Sequence, residues 1–260
     1  MSFAATPPVN GTLCKYYRVP AECCYKLPGH ISLRDGALVE PLSVAVHGCR
    51  LGGDMQDKNV VVFGAGPVGL LCAAVARAFG ASTVIVVDIV ESRLQSAVKY
   101  GATHTYQMQT GASVADNAAA LLAAAGLTAA AAGTGGSAGV DVALDATGAE
   151  PCVNTAVHAI LPGGTFVQVG LGKSDISFPV GQVCDKELVV KGCFRYGPGD
   201  FKLAIGLLNS RRINLADLVT HEYPFSQVED AFKNVLGRAG IKTVIYGPDV
   251  EENLARATQA

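Results

Sequence analysis

Lys58-Asn59-Val60-Val61-Val62-Phe63-Gly64-Ala65-Gly66-Pro67-Val68-Gly69-Leu70-Leu71 is the stretch on which the reading of this chain turns. An apolar, β-branched run of strand length meets Gly64-x-Gly66-x-x-Gly69, and an amphipathic helical pattern begins at once. Gly64 lets the chain turn tightly out of the strand, Gly66 lets backbone N–H groups come close to a pyrophosphate, and Gly69 lets the helix pack on the strand. The helix N-terminus then offers free N–H groups and the positive end of its dipole to phosphates. Glycine makes up 30 of the 260 residues, so the three glycines alone could mark an ordinary turn in a βαβ unit. Their context decides. A second strand, Thr83-Val84-Ile85-Val86-Val87, follows after one helix and ends in Asp88, at the distance the dinucleotide fingerprint requires.

Outward from this centre, composition narrows the classes. Half the residues are apolar, enough for a sizeable core. A net charge of −2 without a basic stripe argues against nucleic acid and anionic membranes as partners. The N-terminus shows no secretory signal, and the longest apolar run, near residues 59 to 81, is broken by Gly64, Gly66, Pro67 and Arg77. Eight cysteines without a CxxC or a framework spacing read as buried free thiols of a reducing compartment, which places the chain in the cytoplasm.

From residue 57 the pattern alternates strand and helix. Helices are expected to Phe79 with Gly80 as cap, from near Glu91 to a point before Gly101, over 113 to 125 and from Glu150 to Leu161. Strands are expected at His104–Tyr106, Val140–Leu144, Thr165–Val169 and Leu188–Cys193. Residues 126 to 139, nearly all Ala, Gly, Ser and Thr, read as a flexible surface insertion that deletion would tolerate. Beyond Gly197 come helices Asp200–Asn209 and Gln227–Gly237, then a strand Lys242–Tyr246. The result is an α/β chain built on a doubly wound parallel sheet, whose ligands bind beyond the strand C-termini. The loops Asp145–Gly148, Gly170–Gly172 and Phe194–Tyr196 fall there. Before the sheet, Leu38, Leu42 and Val46 form a helical stripe with Asp35 as its cap, and Glu40, set inside it, calls for a partner such as a buried salt bridge. Residues 2 to 30, rich in breakers, cannot form a core alone.

Several motifs then stand in a telling order: Phe3-Ala-Ala-Thr-Pro-Pro8, Gly36-Ala-Leu-Val-Glu-Pro-Leu-Ser43, Val62-Phe-Gly-Ala-Gly-Pro-Val-Gly-Leu70, Thr147-Gly-Ala-Glu150, Gly163-Gly-Thr165, Val169-Gly-Leu171 and Gly192-Cys-Phe-Arg-Tyr196. In this order the chain resembles medium-chain polyol dehydrogenases, the sorbitol and xylitol dehydrogenases. Phe194 to Asp200 looks most like the fungal xylitol dehydrogenases, or D-xylulose reductases. The resemblance implies an NAD-dependent, zinc-assisted oxidation of a polyol secondary alcohol to a ketose. It also implies a Rossmann sheet with remnants of a GroES-like catalytic domain at both ends, divided at residues 1–50, 51–196 and 197–260, and a homo-oligomer in the complete enzyme.

By that resemblance Val68, Asp88, Arg93, Val169, Gly170, Leu171 and Phe194 line the dinucleotide site with Gly64, Gly66 and Gly69. Asp88 holds the adenosine ribose and the Val169–Leu171 backbone orients the nicotinamide. Arg195 and Tyr196 face the polyol, and Glu40 is the carboxylate beside the catalytic zinc. The residues that supply the metal in this family have no match here, so no metal ligand is expected and the chain resembles a shortened member. His47-x-Cys49 does not replace them. A short-chain dehydrogenase needs Tyr-x-x-x-Lys, which is absent. A zinc-independent quinone-type reductase and a non-catalytic NAD-binding or interaction module remain as alternatives.

Overall fold

Continuous Val and Ile runs are the mark of strands buried on both faces, and these form the middle of the sheet. The structure is a computed structural model that describes residues 4–128, 138–237, 239–248 and 250. Its first elements are α1 (Leu33–Gly36), α2 (Val39–Gly52), β1 (Asn59–Phe63), α3 (Pro67–Ala78), β2 (Thr83–Asp88), α4 (Glu91–Ala97) and β3 (His104–Gln107). There follow α5 (Val114–Ala124), β4 (Val140–Asp145), α6 (Glu150–Ala159), β5 (Ile160–Gln168), α7 (Val180–Asp185) and β6 (Val189–Gly192). The last are α8 (Asp200–Asn209), β7 (Val219–Tyr223), α9 (Val228–Leu236) and β8 (Lys242–Ile245).

Six parallel strands form one sheet in the order β3-β2-β1-β4-β5-β6. This is the doubly wound order of the Rossmann fold, with its switch point between β1 and β4. Alternation along the strands divides the core. Val61, Phe63, Ile85, Val87, Ala143 and Phe166 pack against α5 and α6. Val60, Val62, Val84 and Val86 are equally buried on the other face, where α3 packs on β1 and β2 and α2 on β4 and β5. Each Val, Ile or Phe among them contributes about 1.5–3 kcal/mol on burial. Helix α3 closes as expected at Gly80, which takes φ +98°. The Ala81 N–H reaches the Ala76 carbonyl and the Gly80 N–H that of Arg77, a Schellman closure.

The chain divides into two compact units, Leu38–Asn214 and the residues on either side of it. Helices α2 and α8 pack together and belong to the sheet unit, so that unit is wider than the expected 51–196. In the other unit β7 and β8 pair in parallel, with α9 packed on both. There Arg34 Nε donates to Glu222 at 2.7 Å, and its Nη2 reaches the carbonyls of Ala216 and Val219. The Tyr246 hydroxyl holds the other Glu222 oxygen. Together these tie α1 to the strand pair.

Several local expectations are corrected. Asp35 is not a cap: the hydroxyl of Ser32 accepts its N–H at 3.1 Å and caps α1, while α2 starts separately at Val39. Glu40 is exposed on the first turn of α2 and has no ion pair among the described residues, where the helix dipole stabilises it without one. Helix α6 stops at Ala159 because Ile160 is already extended and pairs with Val140 across a bulge, so β5 begins five residues early. Helix α7 and strand β7 escaped the periodicity, the first being six residues with a glycine inside and the second mostly polar. The cysteines are unpaired, but Cys14, Cys23, Cys24 and Cys184 are exposed while Cys49, Cys72 and Cys193 are buried. Most of the insertion read at 126 to 139 lies outside the described residues. Among the described residues no helix is long and apolar enough to cross a membrane.

Candidate functional site

The site grows from the end of β1. Gly64 leaves the strand at φ +98° and donates its N–H to the Val87 carbonyl at 2.7 Å. A Cβ on Gly69 would lie 1.8 Å from the Gly64 carbonyl oxygen, so α3 can approach the loop this closely only without a side chain there. Gly66 precedes α3 in extended conformation, and a Cβ on it would meet nothing within 4 Å. Its open side is the face a ligand would fill. Pro67 opens the helix, and Val68 is half-buried in the first turn, whose N–H groups at residues 68 and 69 point out of the helix end.

Asp88 closes β2 beside this loop. Its Oδ2 accepts the Ala65 N–H at 2.8 Å and its Oδ1 the Val90 N–H at 2.9 Å. One lone pair of each oxygen is thereby used, which fixes the carboxylate and leaves further acceptor capacity for hydroxyl groups. Next to it opens a cavity of about 400 Å³, lined among others by Asp88, Ile89, Arg93, Met108, Thr147 and Cys152. Burial pushes the Cys152 thiol up to about 11, so it serves as an uncharged wall. Buried Asn117 shapes the far side, its Oδ1 accepting from the Tyr106 hydroxyl and the Gln109 N–H, both at 2.9 Å. The cavity walls at Met108, Asn117, Pro151 and Cys152 were not foreseen. Their signal was positional: Met108 directly follows β3 and Pro151 opens α6.

Across the switch point, fully buried Asp145 organises the second half. Its Oδ1 accepts from the Thr147 hydroxyl at 2.6 Å, and its Oδ2 from the Gly148 N–H at 2.7 Å and Gln168 Nε2 at 2.6 Å. Its carbonyl also receives the N–H groups of Val169 and Gly170. Burial raises its pKa, and the hydrogen bonds from Thr147, Gly148 and Gln168 offset only part of that. The two loops thus joined touch backbone to backbone: a Cβ on Gly172 would lie 1.9 Å from the Gly148 carbonyl oxygen, and one on Gly170 2.5 Å from the Ala146 carbonyl carbon. Gly170 therefore has a packing reason to be glycine. Val169 is buried, whereas Leu171 and Phe194 stand largely exposed at the strand ends.

Arg195, beyond β6, takes φ +55°, unusual for a side chain this bulky, and its guanidinium lies 5.8 Å from the Phe194 ring centre. Tyr196 meets Phe201 edge to face at 4.8 Å. The structure thus gathers Gly64, Gly66, Val68, Gly69, Asp88 and Arg93 around the first half and Val169, Gly170, Leu171, Phe194, Arg195 and Tyr196 at the ends of β5 and β6. Glu40 shares no hydrogen bond or ion pair with either group. Open glycine loop, helix N-terminus and anchored Asp88 together fit a dinucleotide. Zinc does not find the same fit. Among the described residues no three His, Cys, Asp or Glu side chains come together to hold a metal ion.

Residues 67–210 match the family described as zinc-binding dehydrogenase. The chain belongs to that family. It is 51% identical over 247 residues to the probable D-xylulose reductase A of Neosartorya fischeri, which covers 95% of this chain and 66% of that protein. With D-xylulose reductase A of Aspergillus niger it shares 50% over 249 residues, 96% of this chain and 67% of the relative. The chain thus spans about two thirds of the length of the curated relatives it matches. Among solved structures, L-idonate 5-dehydrogenase of Escherichia coli superposes with a TM-score of 0.78 at 26% identity, covering 92% of this chain and 64% of that one.

Proposed function

We propose that this chain binds NAD across the C-terminal ends of its sheet and serves the oxidation of a polyol secondary alcohol to a ketose, xylitol to D-xylulose or sorbitol to fructose. The observation that carries the cofactor reading is the anchored Asp88 carboxylate beside an open glycine loop. The polyol reading rests on the relatives named D-xylulose reductase. In this reading the N–H groups of the first turn of α3 receive the pyrophosphate and Asp88 accepts the ribose hydroxyls. Arg93 borders the adenosine cavity, and the 169–171 backbone with Phe194 orients the nicotinamide. Arg195 and Tyr196 bind the polyol hydroxyls and Glu40 hydrogen-bonds the reacting alcohol. Bound NAD supplies the hydride acceptor; the residues here orient it and shield it from water. The reading also includes a cytoplasmic location and a homo-oligomeric complete enzyme.

That no metal-binding group comes together among the described residues favours a second reading, in which this chain binds the dinucleotide without oxidising a polyol by itself. One set of measurements separates the two: titration of the purified chain with NAD and NADP, its zinc content, and NADH absorbance with xylitol or sorbitol. NAD should bind at least about tenfold more tightly than NADP, since an aspartate at the ribose repels a 2′-phosphate. Equal affinities would overturn the Asp88 assignment. Polyol-dependent NADH formation by this chain would remove the second reading, and its absence alongside tight NAD binding would support it.

A further inference from the structure

Asp200 is the most deeply buried carboxylate outside the site described, and its side chain has no exposure at all. It opens α8, directly after the Phe194–Gly199 loop. Its Oδ2 accepts the Gly197 N–H at 2.7 Å and faces His47 Nδ1 at 2.8 Å. Its Oδ1 accepts from Arg50 Nη1 at 2.6 Å, and the same guanidinium nitrogen reaches the Pro198 carbonyl at 3.3 Å. His47 and Arg50 lie on α2, about 150 positions away in the chain. A Cβ on Gly197 would come 3.4 Å from His47 Cε1, so the loop lies directly on that imidazole.

We propose that Asp200 is a positioning residue that, with His47 and Arg50, clamps the Phe194–Tyr196 loop in the conformation that meets the nicotinamide half of the dinucleotide. The inference rests on the cofactor reading above. In a doubly wound sheet each half takes one mononucleotide. Asp88 assigns the adenosine to the β1–β3 half, which leaves the nicotinamide to the ends of β4 to β6, where Phe194 is exposed. The loop has reason to need a clamp: Arg195 holds a left-handed φ of +55°, a conformation that persists only where surrounding contacts over-determine it. A buried carboxylate with two basic side chains and a backbone N–H supplies that determination.

The test compares two ligands on the whole 260-residue chain. ADP-ribose carries the adenosine and pyrophosphate but lacks the nicotinamide that NADH adds. Asp200→Asn should weaken NADH about tenfold while ADP-ribose stays within about twofold, because only the nicotinamide half leans on the clamp. Arg50→Gln, at a half-exposed side chain that folding tolerates, should shift NADH in the same direction, and Arg50→Lys should restore most of it. If Asp200→Asn does not fold, the two Arg50 variants decide. Unchanged NADH affinity, or a loss shared equally by ADP-ribose, would overturn the positioning role. A wild-type chain that binds ADP-ribose but shows no gain from nicotinamide would overturn it too, leaving the adenosine assignment intact. Failure of the wild-type chain to bind ADP-ribose would overturn the cofactor reading and this inference with it.

Discussion

On the β1–β3 half of the sheet the glycine loop and Asp88 come from one βαβ unit of about thirty residues, and that single side chain joins its two ends through the Ala65 N–H. On the β4–β6 half the unit β4–α6–β5 holds Asp145 and its partners, but the rest of the site is fastened from outside it. There Asp145 gathers Thr147, Gly148 and Gln168, and Asp200 gathers His47, Arg50 and Gly197, across separations of up to 150 positions. Both halves bring backbones into contact at glycines. The first does so within one local turn and the second between loops from different strands. A local motif shows itself as spacing, while a site held by buried carboxylates shows itself only after the chain has folded.

The largest effects should come from those glycine contacts, and they break the comparison most directly. Gly69→Ala sets a methyl 1.8 Å from the Gly64 carbonyl oxygen, within the phosphate loop itself. Thermal unfolding should show a loss near the top of the range for overpacking, about 3 kcal/mol, and titration should show ADP-ribose and NADH binding lost together. Gly172→Ala meets an equally close contact, 1.9 Å from the Gly148 carbonyl oxygen, on the other half. It should weaken NADH and spare ADP-ribose. Equal loss of both ligands in Gly172→Ala would mean that the halves do not act separately.

Asp88 sharpens the same contrast at the level of one side chain. Asp88→Ala removes charge-assisted hydrogen bonds worth about 1.5–3 kcal/mol each, so NAD affinity should fall by at least about tenfold. NADP, which the carboxylate repels, should lose less, and the preference between the two should shrink. A preference that survives the substitution would shift the discrimination to another group of the cavity, Arg93 first.

How much of this was legible follows from where the information lies. Strands β1, β2, β4 and β6 were readable from their apolar, Val-rich runs, and the doubly wound parallel sheet followed from strand–helix alternation. Asp88 was readable because it lies a fixed distance from the glycines. The early start of β5 was not, because Leu161-Pro-Gly-Gly164 carries turn residues that only the bulge opposite Val140 accommodates. Asp145 appeared merely as a loop residue and Asp200 as the end of a motif, since nothing local marks an aspartate as fully buried. Glu40 misled in the opposite direction: an apolar neighbourhood in sequence suggested burial, but the helix turns it outward.

Lys186 offers a smaller effect on the fastening of the second half. Its ammonium donates to the carbonyls of His158 at 2.8 Å, Ile160 at 2.9 Å and Val157 at 3.2 Å, where α6 ends and β5 begins. Burial lowers its pKa, but a cation at a helix C-terminus that satisfies three carbonyls still stabilises the fold. Lys186→Met should cost about 1–2 kcal/mol in urea unfolding and leave ADP-ribose binding unchanged. A neutral result would show that water satisfies those carbonyls as well as the ammonium does.

The smallest effect expected is the dependence on pH that Asp145 imposes. Its pKa in the fold is raised, chiefly by burial, above the value of about 4 that an unfolded aspartate shows. Between those two values the folded chain keeps a proton that the unfolded chain has released, so the folded state binds more protons and its stability falls as pH rises through the window. Above the window the slope from this group vanishes, and below about pH 4 both states are protonated and it vanishes again. Asp145→Asn cannot titrate. Unfolding free energies of wild type and variant, measured by urea across that range, should therefore differ by an amount that becomes less favourable to the wild type with increasing pH. The opposite slope, with the wild type gaining on the variant as pH rises, would mean that the hydrogen bonds from Thr147, Gly148 and Gln168 outweigh burial. The hub of the second half would then be a charge favoured by its setting, held as a carboxylate by the hydrogen bonds it accepts.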